Sequence, residues 1–368
     1  MANIFDYMQW RDLEITKQVE FNEIDNLILS RLSYFPLDGL FIDNEKIQLN
    51  QIYKKYKERG IVGHILQKED LKLFPILASS IRFGNILLSD YINKIDSKLE
   101  KQFSAITIYL PDETMYVAFR GTDNTIIGWK EDFNMSFSDV VAAQEEAVKY
   151  LEIIAEKNPY EKIRVGGHSK GGNLAVYAAA FCNKEVQDRI VAVYNNDGPG
   201  FHDKIVNSNQ YKNILDRVCT YIPQTSIIGR LLDHKEKTVI LKSTQTGIMQ
   251  HDLYTWQVLG KYFVRDELTN SSEFIDKTIT NWLKEVDPTE RKMFIDVLFE
   301  ILNATQAKTL AQISDKWFIS ARTMVKKYQN MSPESKEIMN KALGQFLEIG
   351  KSNLRDARPR LRAKKVVN

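Results

Sequence analysis

The sequence predicts an α/β fold: a mostly parallel sheet with helices on both faces, and further helices at the N- and C-terminal ends. Short apolar runs rich in Val, Ile and Tyr recur between about residues 103 and 243. Stretches that favour helix separate several of these runs, as in FSDVVAAQEEAVKYLEIIAEKNPY (137–160). Strands that alternate with helices are typical of a parallel sheet covered on both faces.

The predicted strands and helices follow one another in a clear order. FSAITIYL and MYVAFRG are predicted strands, joined by a tight turn at Pro-Asp-Glu-Thr. The helix over 137–160 comes next and ends at an Asn-Pro pair. The strand KIRVGG then leads directly into the helix KGGNLAVYAAAFC. Three more strands are predicted at RIVAVYNN (189–196), RVCTYIP (217–223) and KTVILKS (237–243).

These patterns divide the chain into three parts. Residues 1–100 carry apolar residues at mixed three- and four-residue spacing, which predicts an N-terminal helical flank packed on the core. No pattern in this flank indicates chemistry. Residues 101–265 are the predicted α/β core, and residues 266–368 are a C-terminal helical region that ends in a basic tail. Three amphipathic helices are predicted there: SSEFIDKTITNWLKEV, PTERKMFIDVLFEILNATQ and SPESKEIMNKALGQFLEIG.

Composition narrows the classes of partner and compartment. The 368 residues are 43% apolar and 27% charged with a formal net charge of +2, so no charge excess points to a nucleic-acid partner. The two cysteines, Cys182 and Cys219, are too few for a disulfide framework or a Cys-rich zinc site and predict reduced thiols in the cytoplasm. We expect no signal peptide, and no apolar run approaches the ~18 residues of a transmembrane segment.

The segment Gly167-His168-Ser169-Lys170-Gly171 matches the pattern G-x-S-x-G, the nucleophile elbow. A serine at a sharp strand-to-helix turn adopts a strained backbone, and small neighbours are needed because the strand and helix backbones come close. The start of the following helix then favours negative charge beside the hydroxyl. A plain structural turn is the competing interpretation. The predicted strand before Ser169 and the apolar helix after it favour the nucleophile.

A phosphate-binding loop is a rival interpretation of the same glycines. A Walker loop requires Gly-Lys followed by Ser or Thr, but the order here is Ser-Lys-Gly-Gly. A dinucleotide-binding loop requires G-x-G-x-x-G, and the spacing of Gly167 and Gly171 does not fit it. The sequence therefore favours hydrolysis over phosphate binding.

An elbow of this kind needs donors for a developing oxyanion. The backbone N–H of Lys170, directly after the serine, is the first candidate. Gly121 and Thr122 follow the end of the strand MYVAFRG, where a backbone N–H or the threonine hydroxyl can face Ser169. A strand-ending glycine turn without chemistry is the alternative, and the occurrence of two such turns on neighbouring strands argues against it.

The motifs together resemble a known family. VAFRGT followed by a Trp and an Asp, and then GGHSKGGNLA, resembles the class 3 lipases, which are serine hydrolases with the α/β-hydrolase fold. The chain is more similar still to an uncharacterised bacterial family of lipase-like intracellular hydrolases, in FRGTD, GHSKGGNLA, NNDGPGF and GIMQHD. The resemblance implies an α/β-hydrolase fold and a hydrolytic site, but no established substrate.

The resemblance also implies roles for individual residues. By position, Ser169 is the nucleophile, and Thr122 and Lys170 form the oxyanion hole. Trp129 and Asp132 would support the loop that carries Thr122. A core tryptophan and a helix-capping aspartate are equally good interpretations of these last two residues.

The expected chain order of nucleophile, acid and histidine selects the base. His251 is the only one of the five histidines that follows the last predicted strand. His168 lies inside the elbow, where its side chain is expected to support the turn. The other three histidines lie before that strand, at His64, His202 and His234.

The acid departs from the class 3 lipase pattern. The segment QTSIIGRLL, which corresponds to the usual place of the acid, offers Ser226 and no carboxylate. Asp197, in NNDGPGF, follows the strand next after the elbow and is the best substitute, since it can orient His251 there. A purely structural Asp197 at a Gly-Pro-Gly turn is the alternative. Asp233 and Asp252 are less favoured candidates for the acid.

These residues predict a serine hydrolase that forms an acyl-enzyme on Ser169, with no cofactor and no metal. The resemblance to lipases implies that the bond cleaved is a carboxylic ester. The expected substrate is a small-molecule or lipid-like ester. The sequence predicts neither the length of its acyl chain nor the oligomeric state of the protein. Two alternatives remain: an inactive hydrolase fold that serves as a binding or scaffold module, and binding of an acyl or phosphorylated small molecule without turnover.

Overall fold

The computed structural model describes residues 1–41, 45–59, 67–96, 101–122, 140–267, 278, 281–282, 285–306 and 316–364. By their internal contacts the residues form two compact units. The first comprises Met1–Gly121 with Asp139–Glu267, and the second comprises Thr122–Ser138 with Leu268–Asn368.

The first unit is built on an eight-stranded sheet whose strands lie side by side in chain order. Neighbouring strands from β1 to β4 are antiparallel, and those from β4 to β8 are parallel. The strands are β1 Ile47–Gln48, β2 Leu87–Asp96, β3 Lys101–Leu110, β4 Thr114–Phe119, β5 Lys162–His168, β6 Ile190–Asn196, β7 Val218–Pro223 and β8 Lys237–Leu241. A separate antiparallel pair comprises β9 Val258–Leu259 and β10 Tyr262–Phe263.

Nine of the described α-helices belong to this unit and three to the second. Those of the first unit are α1 Ile4–Trp10, α2 Glu23–Leu32, α3 Leu49–Arg59, α4 Asp70–Ser79, α5 Ala142–Lys157, α6 Lys170–Phe181, α7 Lys184–Arg189, α8 Asp203–Val206 and α9 Asn209–Lys212. Those of the second are α10 Pro288–Asn303, α11 Trp317–Gln329 and α12 Pro333–Lys364. Short 3₁₀ helices occur at Leu215–Arg217, Ile228–Arg230, Gly247–His251 and Leu253–Thr255.

Helices cover both faces of the sheet, as predicted. Strand β4 is buried throughout, and its alternate side chains join two different cores, because successive strand residues point to opposite faces. Met115, Val117 and Phe119 pack in one core with α5 and α6. Tyr116 and Ala118 pack in the other core with the N-terminal helices α1 to α4.

The six strands predicted between 103 and 243 are present. Residues 1–100 contain helices, α1 to α4, as predicted, but not helices alone. They also contribute β1 and β2 to the sheet. The pairing of β2 with β3 shifts register between Ser89 and Ile92, and Asp90 adopts a positive φ of 52°. Such a bulge interrupts the two-residue alternation by which a strand is recognised in a sequence.

Two buried ion pairs hold the N-terminal helices together. Arg82 bonds both carboxylate oxygens of Asp25, and neither side chain is exposed. Arg31 of α2 forms the same kind of bidentate ion pair with Asp70 of α4. The hydroxyl of Tyr254, which follows the 3₁₀ turn of Gly247–His251, donates to Asp70 Oδ1 at 2.6 Å. Helix α2 is thereby fixed relative to the loop that follows β8.

The second unit is helical in its described part. Val297, Ile301, Met331 and Met339 form a small buried core between its helices. Helices α10 and α12 correspond to the last two amphipathic helices predicted from the sequence. The first of the three, over 271–286, lies largely outside the described residues, and α11 was not predicted. Across the described residues, no helix is both long and apolar enough to cross a membrane.

The buried carboxylate of Glu236, which lies just before β8, joins β7 to α9 through hydrogen bonds. Glu236 accepts hydrogen bonds from Tyr211 at 2.5 Å, from His234 Nδ1 at 2.8 Å and from the hydroxyl of Thr220. Burial alone would raise the pKa of Glu236, but the bonds from His234, Thr220 and Tyr211 outweigh it and lower the pKa from 4.5 to about 2. The folded state therefore stabilises the ionised carboxylate.

The Glu236 pKa predicts how stability depends on pH. The pKa of Glu236 is lower in the folded than in the unfolded protein. Ionised Glu236 therefore makes its full contribution to the free energy of unfolding above about pH 4.5, and this contribution is lost as the pH falls towards 2. We expect the difference in unfolding free energy between wild type and Glu236→Gln to narrow by up to about 3 kcal/mol over this range, measured by urea denaturation. Glu113→Gln is the control, since that side chain is 85% exposed. A difference that stays constant with pH would contradict the assignment.

Candidate active site

The turn between β5 and α6 has the strained backbone predicted for an elbow. Ser169 adopts φ +58° and ψ −135°, a left-handed region that non-glycine residues seldom occupy. Its N–H donates to the Asn196 carbonyl at 2.9 Å, and its own carbonyl accepts from the Gly172 N–H at 2.9 Å. These bonds fix Ser169 between the end of β6 and the first turn of α6.

The glycines on either side of Ser169 are required by close packing. A Cβ added at Gly171 would lie 2.2 Å from the carbonyl oxygen of Phe119. One added at Gly167 would lie 2.3 Å from the carbonyl carbon of Gly171. Both distances are far shorter than real Cβ contacts, so the strand and helix backbones could not approach in this way with larger residues.

The structure brings His251 and Asp197 together. His251 ends the 3₁₀ helix Gly247–His251 that follows β8, and Asp197 directly follows β6. The Nδ1 of His251 lies 2.8 Å from Oδ2 of Asp197, and both side chains are buried. A carboxylate only accepts, so Nδ1 carries the proton and Nε2 is left as the basic nitrogen.

The turn that carries Asp197 also packs against the elbow. Asp197 has a positive φ of 56°, and its N–H donates to the Tyr221 carbonyl at 2.8 Å. Next in the chain, Gly198 donates to Oδ1 of Asn195 at 2.8 Å. A Cβ at Gly198 would lie 2.3 Å from the carbonyl oxygen of Ser169. The aspartate turn and the serine turn therefore touch through their main chains.

No bond from the other two candidate acids to His251 is seen among the described residues. Asp233 pairs through its main chain with Phe201. Asp252 accepts the N–H of Tyr254 at 3.1 Å, and burial raises its pKa. The hydroxyl of Ser226, in the segment QTSIIGRLL, accepts the N–H of Gly229 at 3.3 Å.

The segment after β7 provides space for Asp197. A Cβ at Gly229 would lie 2.2 Å from Oδ1 of Asp197. This Oδ1 atom is buried and has no hydrogen-bond partner among the residues that the structure describes. Gly229 therefore sets the position of the carboxylate by leaving room for it.

His168 connects the elbow to the loop of His251. Its Nε2 lies 2.8 Å from the main-chain oxygen of His251, and the two rings lie with their centres 4.6 Å apart and their planes tilted by 36°. A carbonyl oxygen only accepts, so the Nε2 of His168 carries a proton. Burial lowers the pKa of His168 well below its usual value, and the nearby His251 and Arg31 lower it further. The ring is therefore neutral at physiological pH.

The FRGT turn meets Ser169 at Gly121. A Cβ at Gly121 would lie 3.0 Å from the Cβ of Ser169 and 2.4 Å from the main-chain oxygen of His168. Thr122 follows directly and is buried, as is Lys170, the first residue of α6. Trp129 and Asp132 lie outside the described residues, so their supporting roles stay predictions.

Sequence reasoning missed two residues that contact this site. Gly229 is visible in the sequence only as an isolated glycine in QTSIIGRLL. Tyr34 lies in the region considered to lack chemistry, yet its hydroxyl accepts the N–H of Gly121 at 3.0 Å. No local pattern marks Tyr34, because its partners are far away in the chain.

A sheet with parallel strands β4–β8, helices on both faces and a serine elbow between β5 and α6 defines an α/β-hydrolase fold. The family model named Mbeg1-like matches residues 77–300, which is more than half of the chain. The protein belongs to the Mbeg1-like family.

Solved structures give distant matches over parts of the chain. The native Rhizomucor miehei lipase propeptide complex is 17% identical with a TM-score of 0.34, covering 42% of this chain and 57% of that one, less than two thirds of its length. Lipase II from Rhizopus niveus is 15% identical with a TM-score of 0.36, covering 54% and 83%. Lip2 lipase from Yarrowia lipolytica is 12% identical with a TM-score of 0.33, covering 61% and 98%. No curated protein matches the sequence.

The position of Gly229 predicts the effect of one added methyl group. In Gly229→Ala the new Cβ collides with Oδ1 of Asp197, so the carboxylate moves away from His251. We expect a loss of about 1–3 kcal/mol in unfolding free energy. We also expect loss of the far-downfield ¹H NMR signal of the His251 Nδ1–H, identified by its absence in His251→Asn.

Gly344→Ala is the control for this substitution. Nothing lies within 4 Å of a Cβ at this helical position, so stability should stay equal or rise by up to about 1 kcal/mol. A Gly229→Ala variant with wild-type stability and an unchanged imidazole signal would show that Asp197 does not depend on this space.

Proposed function

We propose that the protein is a serine hydrolase that cleaves a carboxylic ester through an acyl-enzyme on Ser169. One observation carries the proposal: the buried hydrogen bond of 2.8 Å between His251 Nδ1 and Asp197 Oδ2, on turns that pack against a strained serine elbow. A histidine so oriented has its Nε2 ready to accept a proton, which a serine nucleophile requires.

The mechanism follows from the proposed roles of these residues. Nε2 of His251 takes the hydroxyl proton while Oγ of Ser169 attacks the ester carbonyl, and Asp197 stabilises the imidazolium that forms. The oxygen of the tetrahedral intermediate is bound by the N–H of Lys170 and by Thr122. His251 then returns the proton to the leaving alkoxide, and the C–O bond breaks. Water repeats the sequence on the acyl-enzyme and releases the acid.

The choice of an ester over an amide comes from the motif resemblance to class 3 lipases. A lipid-like substrate is proposed on the same ground. Both cysteines, Cys182 and Cys219, are free thiols in the structure. The cytoplasmic location that was predicted from these two residues stays a prediction.

A binding or scaffold module is the second candidate function. It is favoured by the low exposure of the site, since Ser169 is 3% exposed and His251 5%. The absence of a carboxylate from QTSIIGRLL does not favour this candidate, because Asp197 bonds His251. The two candidate functions differ in whether Ser169 reacts.

Covalent labelling tests the nucleophile. We expect a fluorophosphonate probe to label wild type and to leave Ser169→Ala unlabelled, as read by intact-protein mass spectrometry. Ser104→Ala is the matched control, because Ser104 is also buried (1% exposed) but lies in β3. Equal labelling of wild type and Ser169→Ala would contradict the nucleophile assignment, and a wild type that never labels would favour the scaffold.

Ester hydrolysis tests the other two roles. A panel of p-nitrophenyl esters of rising acyl length gives the chain-length preference of wild type. We expect Ser169→Ala and His251→Ala to lower kcat by a factor on the order of 10⁴ or more, and Asp197→Asn by about 10³ to 10⁴. Asp233→Asn should keep the wild-type rate. If Asp197→Asn also keeps it, Asp197 is not the acid.

A further inference from the structure

Tyr34 lies where the FRGT turn meets the serine elbow. It follows α2 and is 4% exposed. Its hydroxyl accepts the N–H of Gly121 at 3.0 Å and donates to the main-chain oxygen of His168 at 3.0 Å. It also lies 3.4 Å from Nδ1 of His168. One hydroxyl thus joins two turns that are far apart in the chain.

The linkage continues beyond Tyr34 to the base. His168 holds the main-chain oxygen of His251 through its Nε2–H at 2.8 Å. A neutral His168 has Nδ1 as an acceptor, facing the hydroxyl of Tyr34. The low pKa of His168, caused mainly by burial, keeps the ring in this form. The linkage therefore runs from the Gly121 N–H to the hydroxyl of Tyr34, from that hydroxyl to the main chain of His168, and from the ring of His168 to the main chain of His251.

The linkage leaves little room for adjustment. A Cβ at Gly121 would lie 2.4 Å from the hydroxyl of Tyr34 and 2.4 Å from the main-chain oxygen of His168. The hydroxyl of Tyr34 thus lies in the narrow space between the FRGT turn and the elbow and bonds both of them. The residue after Gly121 is Thr122, a proposed oxyanion donor, so a small shift of this turn changes the oxyanion hole.

The ring of Tyr34 is itself held in place. The guanidinium carbon of Arg31 lies 4.6 Å from the centre of the ring, a cation–π distance. Arg31 is fixed in turn by its buried pair with Asp70, which also accepts the hydroxyl of Tyr254. The Tyr34 hydroxyl is therefore pre-organised by the N-terminal helices.

We propose that Tyr34 is a positioning residue for the hydrolytic site. It sets the separation between the oxyanion turn and the nucleophile, and through His168 it supports the loop of His251. This inference rests on the proposed serine-hydrolase function. Tyr34 itself need not touch the substrate, so the proposal assigns it no proton transfer.

Tyr34→Phe tests the proposal by removing only the hydroxyl. Because the Gly121 N–H loses its acceptor and the turn can shift, we expect kcat for a p-nitrophenyl ester to fall by about 10-fold or more. KM should stay within about twofold, since the effect is on the transition state. The fluorophosphonate labelling rate should fall in parallel. Rates are taken per mole of folded protein, determined by urea denaturation.

Tyr150→Phe is the matched control. Tyr150 is 8% exposed, and its hydroxyl is shared with Thr107 at 2.9 Å and donates to the Asp90 carbonyl at 2.9 Å. This ring belongs to the core on the α5 side of the sheet. The two variants therefore lose a similar buried hydroxyl. We expect Tyr150→Phe to lose stability but to keep kcat.

The outcomes separate the two proposals. If wild type labels at Ser169 but Tyr34→Phe keeps the full kcat, the role of Tyr34 is wrong and the serine hydrolase stands. If wild type neither labels nor hydrolyses esters, both fall. Equal losses of kcat in Tyr34→Phe and Tyr150→Phe would indicate a purely structural role and overturn the inference.

A second variant guards against a Tyr34→Phe protein that does not fold. His168→Asn keeps a polar group near the position of Nδ1 but removes the donor to His251. We expect a similar fall in kcat with little change in KM. A His168→Asn variant with full activity would show that the linkage does not support the base.

Discussion

The left-handed backbone at Ser169 is the constraint on which the site depends. A non-glycine residue in such a conformation costs on the order of 1–3 kcal/mol and persists only where its surroundings determine it. Here the surroundings are the carbonyl of Asn196, which accepts the Ser169 N–H, and the glycines at 167 and 171, which let α6 approach β4 and β5. The same residue, Ser169, is the N-cap of α6, so the N–H groups of the first turn of that helix follow it directly. Geometry and electrostatics at Ser169 thus have one origin.

The proposed acid, Asp197, lies on a different loop from the one that the motif resemblance implied, and the structure gives a physical reason for its place beside His251. Parallel strands end at one edge of a sheet, so Asp197 after β6 and Ser169 after β5 are neighbours. The segment after β7, which carries no carboxylate, contributes Gly229 and therefore space for Asp197 Oδ1. The loop after β6 thus supplies the carboxylate, and the loop after β7 supplies the space that the carboxylate occupies.

Features restricted by a local steric cause or by chain order could be predicted from the sequence, whereas those that depend only on long-range contacts could not. The elbow was recognisable because its strain requires glycines at fixed spacing, and Asp197 and His251 because chain order restricts their places. Strand β2 was missed since its bulge interrupts the two-residue alternation. Tyr34 was missed because its partners lie 87 and 134 residues away, and nothing in its local sequence reflects them.

The N-terminal region does more than cover one face of the sheet. Asn26 of α2 donates to Oδ1 of Asn196 at 2.8 Å, and Asn196 donates to Ser30 at 3.0 Å. Asn196 also donates to the carbonyl of Gly167 at 2.9 Å, within the elbow. Buried amides of this kind are costly unless every bond is made, so α2 fixes the end of β6 just before Asp197. The helix that carries no chemistry of its own thereby determines where the charged and strained residues of the site can lie.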